Sequence, residues 1–216
     1  MIRTVLFDLD GTIMDTNELI IGTFLHVLKD IVPPTFTREH IIPSMGQTLE
    51  QQLREFSKLD DVSHLIQAYR KYNLQHHDAM VKPFPYVEEV LQQLYNANIQ
   101  LGVVTTKARL TTERALNMFH LYNNFGVVVT VDDVTHAKPH PEPVYTAMDA
   151  LGANPSTTLM VGDSPADIVA ANAAGAVSCA VAWSLKGEQV LQQYNPRHII
   201  HDMRDLYAIV GLERNN

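Results

Sequence analysis

The sequence predicts an α/β protein, a Rossmann-like doubly wound parallel sheet carrying an inserted α-helical cap. Three observations predict it. Five short apolar runs rich in Val, Ile and Leu lack clean alternation, as strands covered on both faces do. Helical segments separate the last four runs, the order that builds βαβ units. A long stretch after the first run holds helical periodicity and no strand signal.

The first strand, Thr4 to Phe7, runs directly into Asp8-Leu9-Asp10-Gly11-Thr12. The helical stretch follows, from about Asp15 to Lys82. Leu19, Ile20, Phe24, Val27, Leu28 and Ile31 share one helical face until Pro33-Pro34 ends it. Pro43-Ser44-Met45-Gly46 makes a loop, Leu49 to Phe56 and Val62 to Asp78 continue as helices, and Pro83-Phe84-Pro85 closes the segment. The expected division is therefore a core of residues 1–14 and 84–216 with a cap of residues 15–83, hinged near Asp15-Thr16 and Lys82-Pro83. The remaining strands are Ile99 to Thr105, Val127 to Val131, Thr158 to Gly162 and Val177 to Ala182. Between them lie helices over Leu110 to Phe119, Pro141 to Leu151 and Pro165 to Ala174, the last with Gly175 as C-cap. In such sheets ligands bind at the carboxyl ends of the strands.

Composition narrows the partners. A net charge of −8 over 216 residues disfavours nucleic acid and anionic membrane surfaces. No apolar run reaches the roughly 18 residues of a membrane span. Met1-Ile2-Arg3 leads straight into a strand, so no signal peptide is expected. The single cysteine, Cys179, excludes an intrachain disulfide, reads as a buried structural thiol, and suits a reducing cytoplasm. The neighbours His76 and His77 diverge on a helix and are expected on the solvated surface. Nothing in the sequence decides between monomer and homodimer.

The chemistry gathers at the strand ends. Asp8 and Asp10, at i and i+2, project to the same side of an extended chain. Two such carboxylates repel and call for a cation or a shared proton, with one as nucleophile and the other as acid/base. Gly11 permits a sharp turn and a close ligand. Thr105, Thr106 and Lys107 follow the next strand and offer hydroxyls, a lysine and helix-start N–H groups to an anionic oxygen. Lys138 sits in Ala137-Lys138-Pro139-His140-Pro141, a loop stiffened by two prolines. Gly162-Asp163-Ser164-Pro165-Ala166-Asp167 repeats the opening logic, placing Asp163 to bind a cation beside Asp8 and Asp167 in the first helical turn. Asp132-Asp133 reads as electrostatic or scaffolding, and Gly46 as a cap-loop tip reaching the site. Hard oxygen ligands with open positions select Mg²⁺, and the set suits attack by an Asp on a phosphoryl group.

These motifs, Asp8 to Thr12, Thr105, Lys138, and Gly162-Asp163 with Asp167, together with the helical insertion, resemble those of the haloacid dehalogenase superfamily of phosphohydrolases. The resemblance implies Asp8 as the nucleophile that becomes an aspartyl phosphate and Asp10 as general acid/base. It implies that Thr105 and Lys138 hold the phosphoryl group. It places Mg²⁺ on Asp8, the Asp10 carbonyl and Asp163, with Asp167 in support. Asn17 to Ile21, Thr130 to Val134 and Val181 to Gly187 further resemble the inorganic pyrophosphatases of low-GC Gram-positive bacteria. That branch implies clearance of the pyrophosphate released when serine-phosphorylated HPr is dephosphorylated. Phosphoglycolate phosphatases share the same motifs and stay as the alternative substrate class. A sugar-phosphate mutase resembles the chain less, since Ile20 stands where its cap helix carries a histidine. A non-catalytic binding module would lack the acids present here.

Overall fold

The computed structural model describes residues 1–213. In chain order its elements are β1 (Thr4–Phe7), β2 (Met14–Asp15), α1 (Asn17–Leu28), α2 (Arg38–Ile41), α3 (Leu49–Ser57), α4 (Ser63–Met80), β3 (Lys82–Pro83) and α5 (Val87–Asn96). There follow β4 (Gln100–Val104), α6 (Arg109–Met118), β5 (Val127–Val129), α7 (Glu142–Leu151), β6 (Thr158–Gly162), α8 (Pro165–Ala173), β7 (Val177–Val181), α9 (Glu188–Gln192), β8 (His198–Ile200) and α10 (Leu206–Val210).

Six strands form one parallel sheet in the order β5-β4-β1-β6-β7-β8, the doubly wound arrangement expected. Alternation along β1 shows why both faces are apolar. Val5 and Phe7 join the cluster built with α5, α6 and α10, around Val90, Leu94, Leu116 and Leu206. Leu6 joins the opposite cluster, with Val144 and Met148 of α7 and Ala170 and Ala171 of α8. Each fully buried aliphatic side chain of this kind contributes ~1.5–3 kcal/mol relative to exposure. Cys179 lies in the first cluster, and burial pushes its thiol up, so it is a structural residue.

Helices α1 to α4 have a core of their own. Phe24, Leu28, Ile41, Leu53 and Leu65 are buried in it, and Phe24 sets its ring edge-on to Phe56 and tilted against Tyr69.

Several expectations are revised. The segment after β1 is not free of strand: Met14 pairs with Pro83 and Asp15 with Lys82 in a two-residue antiparallel ribbon at the two joins. Such a strand is too short to carry a periodic signal. The sheet gains β8, three residues flanked by Arg197 and His201, whose polar neighbours mask its pattern. The helix α5 precedes β4 and packs Val87, Val90, Leu91 and Leu94 inward. The strands expected to reach Thr105 and Val131 end at Val104 and Val129. His77 is fully buried rather than solvated, because the end of α4 lies against α6. His76 is half-buried and stacks on Tyr72.

Candidate active site

Strand order explains the site. β1 lies between β4 and β6, with Phe7 opposite Val103 on one side and Val161 on the other. Asp8 therefore leaves the sheet between Thr105 and Asp163, and its N–H still donates to Val161 O at 2.9 Å. Asp8, Thr105, Lys138, Asp163 and Asp167 are all buried, at 6% exposure or less.

Lys138 organises the floor. Its Nζ donates to Asp8 Oδ1 at 2.7 Å, to Asp167 Oδ1 at 2.6 Å and to Val104 O at 2.7 Å. All three ammonium protons are thereby used. The loop that delivers it is fixed by Glu142, which accepts from the N–H groups of Thr135 and His136 at 2.7 and 3.0 Å. Burial opposes the charge on Lys138, but Asp167 and then Asp8 outweigh it and hold the ammonium above its usual range. Asp167 is occupied at both oxygens, since Oδ2 accepts from Ser164 N–H at 3.0 Å and Ser164 Oγ at 2.6 Å. The sequence assigned Asp167 a supporting part at the cation. Its observed contacts hold Lys138 and cap α8.

Asp10 faces the same space with both oxygens on Lys107 Nζ, at 2.9 and 3.0 Å. Lys107, expected to contact substrate, is therefore engaged with the second acid. Thr105 Oγ1 accepts from Lys107 N–H at 3.2 Å, and Thr106 Oγ1 donates to Gly46 O at 3.2 Å across to the α2–α3 loop. Asp133 and Asp132 lie outside the floor. Asp133 accepts from Arg109 and Thr130, and Asp132 from Arg109 N–H, which is the expected scaffolding.

Two glycines of positive φ admit close approaches at the site. Gly11 has φ +81°, and a Cβ there would lie 2.5 Å from Asp163 Oδ2. Gly46 has φ +98°, and a Cβ would lie 2.7 Å from Ser164 Oγ. Side chains at either position would be both strained and obstructed.

The electrostatics call for a cation. Asp8, Asp163 and Asp167 bring carboxylate oxygens within 4.8 Å of one another. Burial pushes Asp163 up to about 7, opposed by Lys186 and reinforced by Asp167. Burial likewise raises Asp8, against Lys138 and with Asp167 and Asp163 adding to it. Buried carboxyl groups that strain to stay ionised fit a hard divalent cation.

Above the floor lies a cavity of about 590 Å³ open to solvent on one side and partly walled by the helical segment, with Gly46, Gln52, Ile66, Tyr69, Arg70 and Asn73 among its lining. Burial and the nearby Asp10 raise the Tyr69 hydroxyl well above its usual range. Ser164, Tyr69, Arg70 and Asn73 were not singled out in the sequence. The Ser164–Asp167 spacing is a capping-box signature that could have been found. The α4 residues carry no local signal, since which helical face meets the site depends on how the helices dock.

A protein-family model described as haloacid dehalogenase-like hydrolase matches residues 5–181. The curated Pyrophosphatase PpaX of Bacillus cereus (strain AH820) and that of Bacillus mycoides (strain KBAB4) are each 46% identical over 212 residues, 97% of this chain and 97% of theirs. A solved haloacid dehalogenase-like family hydrolase from Streptococcus pneumoniae has the same fold, with a TM-score of 0.85 at 24% identity, covering 96% of this chain and 98% of its own.

Proposed function

Since the chain belongs to the haloacid dehalogenase-like hydrolases, we propose that it hydrolyses inorganic pyrophosphate to two phosphates through an aspartyl phosphate on Asp8. The observation that carries the substrate is the near-full-length similarity to proteins named pyrophosphatase. The buried Asp8–Lys138–Asp167 arrangement supports the reaction.

Asp8, the backbone carbonyl of Asp10 and Asp163 would hold Mg²⁺, with Asp167 in support, and the ion would supply charge neutralisation and orientation of the phosphoryl oxygens. Lys138 holds Asp8 by Oδ1, so Oδ2 is the oxygen left for attack. That oxygen bonds to phosphorus as the bridging P–O bond breaks and one phosphate departs. Water then attacks the phosphorus of the aspartyl phosphate, which releases the second phosphate and restores the Asp8 carboxylate. Asp10, held by Lys107, gives a proton to the departing oxygen and takes one from the attacking water. Thr105 and Lys138 face the transferred group, where charge spreads over its oxygens. Closure of the helical segment over this cavity would keep bulk water from the first step.

The test is phosphate release with Mg²⁺ from pyrophosphate and from a panel of small esters that includes phosphoglycolate, compared by kcat/KM. Pyrophosphate is expected to lead. Asp8→Asn is expected to abolish turnover, because an amide cannot form the acyl phosphate. A leading ester would replace the substrate, and near-wild-type rates in Asp8→Asn would remove the nucleophile.

A further inference from the structure

Pyrophosphate differs from most phosphate esters in that its leaving group carries its own negative charge. A site that selects it needs a cation beyond those serving the transferred phosphoryl group. The floor's cations already face its acids: Lys138 is divided between Asp8 and Asp167, Lys107 is chelated by Asp10, and Lys186 acts on Asp163.

The helix α4 supplies the candidate. Ile66, Tyr69, Arg70, Asn73 and Leu74 line the cavity at helical spacing, so one stripe of α4 forms its wall. Much of the surrounding lining is apolar, from Ile20, Leu49, Ile66 and Leu74. Glu50, also in the lining, is taken by Arg54 at 2.9 Å. Of the two basic residues that line the cavity, Lys107 is paired. Arg70 has no ion pair or hydrogen bond among the described residues, and the residue is exposed. A guanidinium beside apolar and uncharged polar side chains is a strong anion ligand, and its planar fork matches two phosphate oxygens.

We propose that Arg70 is the specificity-determining residue that binds the leaving phosphate, so that the site selects phosphoryl donors whose leaving group is itself an anion. This rests on the pyrophosphatase reading above and deepens it. The phosphoryl group transferred to Asp8 lies on the floor, and the departing one is held by the cap wall. Lys107 and Asp10 lie at the bond that breaks.

The test uses Arg70→Met and Arg70→Lys in the full chain with Mg²⁺, measuring kcat/KM for pyrophosphate, phosphoglycolate and phenyl phosphate. The ratio of kcat/KM for pyrophosphate to that for phenyl phosphate is expected to fall roughly tenfold or more in Arg70→Met, the loss of one charge-assisted contact. Most of the fall is expected in KM. Arg70→Lys is expected to recover part of it. Equal losses on both substrates, or no loss, in protein with wild-type Tm would overturn the assignment. A wild-type enzyme that prefers phosphoglycolate, with Arg70→Met failing selectively on that anion, would sink the pyrophosphate reading and leave Arg70 in its role. A wild-type pyrophosphatase indifferent to Arg70→Met would do the reverse.

Discussion

Asp163, proposed above as a metal ligand, carries a cost to folding. Burial, opposed by Lys186 and reinforced by Asp167, pushes its carboxyl up to about 7. A carboxyl with a higher pKa folded than unfolded adds stability below its unfolded value, ~3.9, and loses it as pH rises through the folded value. Metal-free protein is therefore expected to lose thermal stability between about pH 4 and pH 7. Asp163→Asn, which removes the titration, is expected to flatten that profile and to raise Tm at about pH 8 by several degrees. Mg²⁺ is expected to raise Tm at that pH in the wild type and far less in the variant. Scanning calorimetry with and without Mg²⁺ measures both, and a steep profile retained by Asp163→Asn would assign the cost to another acid. The place of Asp163 beside Asp8 was legible from an apolar strand ending in Gly-Asp. That Asp167 spends its Oδ1 on Lys138 was not, because that partner lies 29 residues away on a different element.

The turn between α2 and α3 is the element that joins the cap to the floor. Gly46 accepts from Thr106 through its carbonyl and presses against Ser164, which holds Asp167 and through it Lys138. Gly46→Val adds strain of ~1–3 kcal/mol at a positive φ and pushes its Cβ into the Ser164 side chain. The displacement reaches Lys138, so activity on both pyrophosphate and an aryl phosphate is expected to fall, roughly tenfold or more. Steady-state kinetics on the two substrates checks this, and a loss confined to pyrophosphate would mean that the loop yields away from Ser164. The Pro43-Ser44-Met45-Gly46 loop was visible in sequence as a chain breaker. Its contact with α8 was not, since nothing local brings residue 46 to residue 164.

At the scale of the molecule, residues 15–83 are proposed to move as one cap on the β2–β3 ribbon, because their helices bury a cluster separate from those of the sheet. One ion pair ties this unit down close to the ribbon: Arg114 of α6 donates to Asp78 of α4 at 2.7 and 2.6 Å, and Asp78 also meets the buried His77 at 2.9 Å. The Arg114–Asp78 pair is exposed and screened by salt, so its effect on global stability is small. Arg114→Ala is expected to speed amide exchange in β2 and β3 and to move kcat and KM together, with Tm nearly unchanged. Unaltered exchange would show that the pair does not seat the cap.

By itself the sequence determined what is local. Apolar runs set the strands of a parallel sheet, helical periodicity set the inserted segment, and acids, hydroxyl and lysine at strand ends set the chemistry. Each follows from one residue and its near neighbours. Tertiary structure alone decided which lysine pairs with which acid, that Lys107 serves Asp10, and that Arg70 and Tyr69 face the site. Those facts depend on how separately folded segments dock, which is fixed by packing between residues far apart in the chain.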